Sequence, residues 1–257
     1  MTDVADWWTT RITNMEPGKI ELRGHSIESL IEQNDFVATL WLMTQGQNPT
    51  QAQRTLLSAA LVAAVDHGPQ APSIAAARMA STCGIGLNNA MATGINMLGD
   101  VHGGAGQQAL TLYQQILAFD APLEDAVSQA IQNYPTKYIP GFGHRFHKPE
   151  DPRAKPLMDL VRAYSEEAEI DGRYVGVAEA IQQQLSANRP VGIAMNIDGA
   201  TAVIYGALGV SPELARGYFC LSRSVGILAH AWEQTQQGGR NKGPTPPGYR
   251  WTYSEEK

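Results

Sequence analysis

The apolar residues of this chain recur mostly at intervals of three and four positions, which is the spacing of one face of an α-helix. Alternation with a period of two, typical of strands, is confined to residues 19–23 and predicts only a small hairpin arm. The chain is therefore expected to be all-α. The predicted helices are one that ends near Val65, followed by helices over residues 73–82, 87–98, 106–119, 123–131, 155–168, 175–185, 194–208 and 212–236.

The first long helix carries a signal for its start in the sequence Thr50-Gln51-Ala52-Gln53. The Thr50 hydroxyl is placed to accept from a first-turn amide, while the Gln53 side chain reaches back to the backbone of Thr50. This pairing is a capping box. We therefore expect a core helix to begin here.

Glycine and proline are concentrated in the turns between the predicted helices and in the tail, residues 238–257. A segment so rich in these residues is not expected to be helical. The tail is predicted to be either a disordered end or an arm that lies on a neighbouring subunit.

Composition narrows the class of protein. The formal charge of -6 and the lack of a Lys/Arg cluster argue against a nucleic-acid partner. Cys83 and Cys220 are far apart in sequence, which excludes a disulfide framework and favours a reducing cytoplasm. We expect neither a signal peptide at residues 1–8 nor a membrane-spanning segment.

Candidate chemistry begins with the histidines, because four of the six stand beside a glycine: His25, His67, His102 and His144. A glycine lets the backbone turn sharply and approach a ligand, while the imidazole titrates near neutral pH. Any one such pair also fits a histidine that falls in a turn by chance. The pairs are therefore candidates and no more.

Other kinds of site are less well supported. His144 and His147 are three positions apart, but no cysteine or carboxylate completes a recognisable metal-ligand spacing, so we predict no metal. No strand precedes Gly141-Phe142-Gly143, which argues against a dinucleotide fingerprint. A nucleophile elbow is also missing.

Longer motifs surround these histidines. In chain order they are Leu22-Arg23-Gly24, Asp66-His67-Gly68, Val101-His102-Gly103-Gly104-Ala105-Gly106, Pro140-Gly141-Phe142-Gly143-His144-Arg145, Asp151-Pro152-Arg153-Ala154, Asn196-Ile197-Asp198 and Arg223-Ser224-Val225-Gly226-Ile227-Leu228-Ala229-His230. This ordered set resembles the signatures of the citrate synthase superfamily over nearly the whole chain. The resemblance implies an enzyme that makes or breaks a carbon–carbon bond between acetyl-CoA and a 2-oxo acid.

The resemblance also implies residue roles. His102 resembles the histidine that hydrogen-bonds the thioester carbonyl as it becomes an enol, and Asp198 the carboxylate that moves the methyl proton. His144 resembles the histidine at the 2-oxo acid carbonyl, and in cleavage it is expected to assist removal of the hydroxyl proton. The implied binding residues are His67, Arg153 and Arg223 for the substrate, and Tyr138, Ile139, Gly141, Phe142 and Gly143 for the adenine end of CoA.

The chemistry requires such residues whatever the family. Removing a proton from a thioester methyl group needs a base and a donor for the developing oxyanion, which Asp198 and His102 would supply. Asp198 also fits a plain helix N-terminus. Arg153 and Arg223 suit carboxylates through their bidentate fork, and they equally suit structural salt bridges. Arg223 lies in an apolar stretch, so we expect a buried arginine that needs an anion.

The family implies two domains and assembly of several chains. Residues 1–102 and 199–257 are expected to form a large helical domain with a C-terminal arm, and residues 103–198 a smaller domain that closes over the substrate. A homodimer or a dimer of dimers is implied, possibly with a separate CoA ligase as partner. CoA thioester is expected as substrate, with no permanently bound cofactor.

The tail departs from the family pattern. Citrate synthases usually end with an Arg-Pro-Arg-like segment that sends an arginine into the partner's site, whereas this chain has Gly243-Pro244-Thr245-Pro246-Pro247-Gly248-Tyr249. Arg240, Lys242 or Arg250 are possible substitutes. The short length and this tail resemble the citryl-CoA lyase branch, which is similar to the C-terminal module of ATP-citrate lyase.

Three functions therefore remain in view. The first is a citryl-CoA lyase, and the second is a citrate or 2-methylcitrate synthase, which must also hydrolyse its thioester intermediate. The third is a non-catalytic protein that binds CoA thioesters or tricarboxylates, because kinship of fold does not establish activity.

Overall fold

A computed structural model describes residues 4–167, 169–187, 189–241, 243, 245–246 and 248–255. The all-α prediction is confirmed, since helices account for most of the described chain. The helices are α1 Val4–Trp7, α2 Ile27–Gln33, α3 Phe36–Gln45, α4 Gln51–Ala64, α5 Pro72–Ser81, α6 Leu87–Asn96, α7 Ala105–Ala118, α8 Leu123–Gln132, α9 Ala154–Tyr164, α10 Arg173–Ser186, α11 Ile197–Ala207 and α12 Pro212–Gln236. The strands are β1 Thr13–Glu16, β2 Lys19–Leu22 and β3 His25–Ser26.

The predicted hairpin arm is a three-stranded antiparallel sheet in the order β1-β2-β3. Thr13 pairs with Leu22 at one end of β1, and Leu22 also pairs with His25. The Arg23 side chain donates to the carbonyl of Met43 through Nε (3.2 Å) and Nη2 (2.9 Å), which ties the arm to α3. His25 therefore belongs to this arm.

The capping box at the start of α4 is present. Thr50 Oγ1 accepts from the amide of Gln53 at 3.2 Å, and Gln53 Oε1 accepts from the amide of Thr50 at 2.9 Å. Leu56, Leu57 and other apolar residues of α4 are fully buried. The sequence pattern therefore identified both the start of this helix and its core face.

Two predicted helix bounds differ from the structure by more than two residues, and the others agree to within two. The predicted helix 194–208 begins three residues late, at Ile197, because residues 194–196 are extended and pair with another segment. The predicted helix 155–168 ends at Tyr164. Ala168 lies outside the described residues, as do Lys242, Pro244 and Pro247 of the tail.

Helix α11 lies at the centre of the larger of two buried clusters, and residues 199–207 of this helix are all buried. The smaller cluster joins α5, α6 and α12. The expected division into two domains at 102/103 and 198/199 stays a prediction. The larger buried cluster contains residues from both of the expected domains. No helix within the described residues is both long and apolar enough to cross a bilayer.

Helix α12 caps the C-terminal end of α4. The carbonyl of Leu61 accepts from Ser222 Oγ, and the carbonyl of Ala64 accepts from Arg223 Nε at 3.0 Å. The amide of Gly226 donates to the carbonyl of Val65 at 3.1 Å. These bonds pair carbonyls that the helix itself leaves free, and they fix the turn that carries His67.

Candidate active site

Asp198 stands in the first turn of α11, at the edge of the core. Asn196 is the N-cap, and its Oδ1 accepts from the amides of Asp198 (3.0 Å) and Gly199 (3.3 Å). Gly141 packs directly on this turn, since a Cβ there would lie 2.7 Å from Gly199 Cα. Only glycine permits so close an approach, and Gly141 also has a positive φ of 86°. The start of α11 is therefore held in place from two sides.

The Asp198 carboxyl is only partly exposed, and burial raises its pKa. Arg223 and Arg153 act in the opposite direction, while Asp151 adds to the rise. Burial is the largest effect, because a carboxylate that loses water without a direct hydrogen-bonding partner is costly to ionise. Asp198 therefore keeps its proton to a higher pH than an exposed aspartate.

His102 is held by α5. Its Nε2 accepts from the amide of Ser73 at 3.2 Å and lies 3.0 Å from Ser73 Oγ. Burial, followed by the charge of Arg223, lowers the pKa of His102 and favours the neutral ring. A neutral imidazole whose Nε2 accepts must carry its proton on Nδ1. His102 therefore offers Nδ1–H as a donor, as the resemblance implies for the thioester oxygen.

His144 is fixed in the opposite tautomer. Its Nδ1 accepts from the amides of Phe146 and His147, both at 3.0 Å. Burial lowers its pKa, with a smaller contribution from the charge of His147, so the neutral ring carries its proton on Nε2. A ring in this state donates at Nε2 and has no free lone pair. The expected part of His144 in removing a hydroxyl proton stays a prediction.

His67 lies opposite His144, with ring centroids 5.7 Å apart and planes at 77°. His67 is an exposed residue, but partial loss of water around its ring lowers its pKa, followed by the charges of Arg223, Arg153 and His144, while Asp66 opposes them. Asp66 Oδ2 accepts from the amide of Gly68 at 3.1 Å, and Asp66 Oδ1 lies 3.1 Å from His230 Nε2. These contacts hold the turn on either side of His67.

The two arginines differ in their partners. Arg153 binds Asp151 with two bonds, from Nε to Oδ1 (2.9 Å) and from Nη2 to Oδ2 (2.8 Å), and Asp151 is only 2% exposed. Arg223 is 3% exposed, which confirms the expected burial, and its guanidinium lies 4.9 Å from the centre of the Phe219 ring. A cation so deeply placed favours an anionic ligand.

Long-range electrostatics indicate that these six side chains share one site. Arg223 influences the pKa of His67, His102 and Asp198. Arg153 influences the pKa of His67, His144 and Asp198. The catalytic and substrate-binding candidates named from sequence are thus neighbours in space, although they come from six separate motifs.

The candidate CoA loop, residues 138–143, lies against the segment before α11. Phe142 pairs with Met195, and the amide of Gly143 donates to the carbonyl of Ala194 at 2.7 Å. Ile139 is buried in the core, whereas Tyr138 is 74% exposed. Tyr138 is thus the most exposed side chain of the loop. The contact of this loop with the adenine of CoA stays a prediction.

Asn196 is a site residue that the sequence motifs contained but to which no role was given. Besides capping α11, its Nδ2 donates to the carbonyl of Gly143 at 2.9 Å, and its amide donates to the carbonyl of Gly141 at 2.9 Å. One side chain therefore links the candidate CoA loop to Asp198. An Asn directly before an apolar helix is the sequence signal that identifies such a cap.

Three side chains near the site have atoms within 4.8 Å of one another, as metal ligands would: His144, His147 and Asp151. The spacing argument did not find the carboxylate, because Asp151 follows the histidines through a turn of irregular backbone. Nδ1 of His144 and both oxygens of Asp151 already accept N–H bonds from the protein. The expectation of no metal stays a prediction.

Known proteins resemble this chain in sequence. The family described as citrate synthase, C-terminal domain, matches residues 53–243. Citrate synthase of Haloferax volcanii is 29% identical over 82% of this chain and 55% of its own length, and that of Deinococcus radiodurans is 31% identical over 77% and 51%. The chain thus spans about half the length of the curated relatives that it matches.

Two solved structures match a larger share of this chain than the curated relatives do. The citryl-CoA lyase from Hydrogenobacter thermophilus superposes with a TM-score of 0.84 and 30% identity, covering 97% of this chain and 96% of that one. The ATP citrate lyase from Methanothrix soehngenii, solved with citrate and coenzyme A, gives a TM-score of 0.82 over 45% of its chain; at 17% identity it shows the fold alone. The family match extends over most of the sequence, and so the chain belongs to the citrate synthase family.

Proposed function

We propose that the chain is a citryl-CoA lyase, which reversibly cleaves citryl-CoA to acetyl-CoA and oxaloacetate by a Claisen-type reaction. The observation that carries this choice is the structural match: the Hydrogenobacter citryl-CoA lyase superposes with a TM-score of 0.84 and 30% identity over 97% of this chain.

Three side chains of the candidate site would act as proton or hydrogen-bond donors in this cleavage. Nδ1–H of His102 would donate to the thioester oxygen as the enol departs, and Asp198, whose pKa is raised by burial, would deliver a proton to the methylene carbon of the enol. Nε2–H of His144 would donate to the oxygen that becomes the ketone of oxaloacetate.

Charged side chains of the site suit the carboxylates of the substrate. Arg223, Arg153 and His67 would bind these groups, and CoA would lie along residues 138–143 as substrate, without a permanent cofactor. The buried guanidinium of Arg223 supports this assignment, because its charge has no direct carboxylate partner among the described residues.

A synthase is the second candidate, and the names of the curated relatives favour it. A citrate or 2-methylcitrate synthase would have to hydrolyse its thioester intermediate and hold a fully ionised tricarboxylate. Arg240 and Arg250 are both exposed in the described tail. Either is available to enter a partner's site, so the tail alone does not separate the two functions.

We infer that the protein assembles as a homodimer or as a dimer of dimers. Support comes from four exposed apolar residues of α12 at helical spacing, Leu221, Val225, Leu228 and Trp232, which form one stripe that a second copy would cover. We infer a cytoplasmic protein in which residues 103–198 close over the substrate. A separate CoA ligase is the class of partner that would supply citryl-CoA.

The test is to mix the purified chain with chemically prepared citryl-CoA and to follow oxaloacetate and free CoA in parallel. A lyase releases oxaloacetate quickly, and it releases little CoA from acetyl-CoA plus oxaloacetate. Asp198→Asn should lower turnover at least about a hundredfold with CoA-thioester binding retained. The exposed turn variant Asp120→Asn is the matched control.

Two results would overturn the lyase assignment. Hydrolysis of citryl-CoA to citrate and CoA as fast as cleavage would favour the synthase. Tight binding of CoA thioesters without turnover of any substrate would favour the non-catalytic protein.

A further inference from the structure

The carboxyl group of Asp198 has no hydrogen-bond donor among the described residues, although the residue is only partly exposed. The backbone of the same residue is well held. Its amide donates to Asn196 Oδ1 at 3.0 Å, and its carbonyl accepts from Thr201 Oγ1 at 3.3 Å. The position of Asp198 is therefore fixed by its main chain, while the group that carries the chemistry is left without a donor.

Gly106, in the first turn of α7, is the residue that leaves space beside this carboxyl. A Cβ built on Gly106 would lie 3.6 Å from Asp198 Oδ1, 3.8 Å from the carbonyl oxygen of Asp198 and 4.0 Å from Thr201 Oγ1. These are ordinary contacts, and the φ of Gly106 is not positive. Neither crowding nor backbone conformation therefore requires a glycine here, and glycine is less favourable than alanine in a helix.

We propose that Gly106 is a positioning residue of the active site, whose missing side chain keeps hydrogen-bond donors away from the Asp198 carboxyl and so keeps that group a proton donor. The inference rests on the proposed cleavage of citryl-CoA, in which Asp198 delivers a proton to the methylene carbon of the enol. A hydrogen bond donated to a carboxylate favours its ionised form. An acid that must carry a proton until the carbon–carbon bond breaks is better served without one.

Side chains at position 106 would differ in what they offer to the carboxyl. A hydroxyl carried on a Cβ that lies 3.6 Å from Asp198 Oδ1 can reach this oxygen at about 2.7 Å, which is an ordinary O–H···O length. Serine therefore supplies a donor. Alanine fills the same space and supplies none, so the two substitutions separate hydrogen bonding from volume.

Other ionisable groups act on Asp198 only through their charge or through burial. Five side chains interact with it electrostatically: Arg153, Arg223, Asp151, Tyr113 and Tyr205. The two arginines favour the ionised carboxyl, Asp151 disfavours it, and burial raises the pKa of both tyrosines, which stay neutral. Burial outweighs the arginines and raises the pKa of Asp198. A donor at position 106 would thus add the first direct hydrogen bond from a described residue.

The pH dependence of cleavage should report this contact. Cleavage requires the protonated carboxyl, so its rate should fall as the pH rises through the pKa of Asp198. A donor at position 106 lowers that pKa, and Gly106→Ser should therefore move this alkaline limb to lower pH by about one unit. At a pH above the limb the rate should then be about tenfold lower than in the wild type. Gly106→Ala should not move the limb to lower pH.

The test is single-turnover cleavage of citryl-CoA as a function of pH by the wild type, Gly106→Ser, Gly106→Asn and Gly106→Ala. Asparagine supplies a longer donor, in case the serine hydroxyl bonds to the helix backbone instead. Gly217→Ser adds the same hydroxyl on the exposed surface of α12, and this matched control should behave as wild type. Carbon-13 NMR follows the titration of the Asp198 carboxyl without substrate, and Asp198→Asn identifies its signal.

An acid shift of both the limb and the NMR titration in Gly106→Ser or Gly106→Asn, but not in Gly106→Ala, would support the proposal. An unchanged limb and an unchanged titration in both donor variants would overturn it, as would an equal acid shift in Gly106→Ala. In these cases the wild type still cleaves, so the lyase function stands. A wild type that releases no oxaloacetate refutes the lyase function itself, and the NMR titration then still decides whether position 106 controls the carboxyl.

Discussion

Gly226 is the position where α12 meets the turn that carries His67, and replacing it by alanine isolates that contact. A Cβ at Gly226 would lie 2.3 Å from the carbonyl oxygen of Val65 and 2.9 Å from Asp66 Oδ1. The first of these atoms is backbone, so the turn or the helix must move. Movement also lengthens the 3.1 Å bond from the Gly226 amide to Val65.

The magnitude follows from three opposing effects. Alanine gains about 1 kcal/mol over glycine in a helix interior. Overpacking costs about 1–3 kcal/mol, and a buried carbonyl that loses its partner costs about 1–3 kcal/mol more. We therefore expect Gly226→Ala to lower the free energy of unfolding by about 1–5 kcal/mol. Because His67 and Arg223 lie beside this turn, turnover of citryl-CoA should fall as well.

Gly217 provides a matched control on the same helix. A Cβ there would lie 3.9 Å from Leu214, which is an ordinary contact, so Gly217→Ala should stabilise the chain slightly. Denaturant unfolding measures the first effect and the oxaloacetate assay the second. Equal stability and equal activity of the two variants would refute the close packing of α12 on this turn.

Three further predictions concern other contacts. Asn196→Ala should lower the free energy of unfolding by about 1 kcal/mol through the lost cap, and it should also lower turnover. The control Ser211→Ala, which removes the cap of α12, should affect stability alone. Equal activities of the two variants would show that Asn196 is only a cap. Deleting residues 238–257 should impair activity far more than thermal stability, and a fully active truncated protein would leave the tail without a role. Val225→Glu should shift the protein from dimer to monomer in light scattering, because it places a charge on the apolar stripe of α12; an unchanged mass would exclude this face as the interface.

The sequence determined the fold class and several helices closely. The predicted range 212–236 coincides with α12, and the capping box at Thr50 marks the start of α4. These features are local, because apolar spacing and capping residues lie within one or two turns of each other. The short helices α1, α2 and α3 were not predicted. Their stripes are brief, and their ends depend on caps such as Ser26 and Asp35.

The ordered motifs likewise selected candidate site residues that tertiary contacts bring together. What they left open was the chemical state of each group. The tautomer of His102 depends on Ser73, which is 29 residues away, and the position of Arg223 depends on Ala64, which is 159 residues away. The tautomer of His144 depends on a local turn whose backbone amides donate to the ring. A sequence names the side chains that can donate or accept a proton, but only the folded chain decides which of their atoms are already occupied.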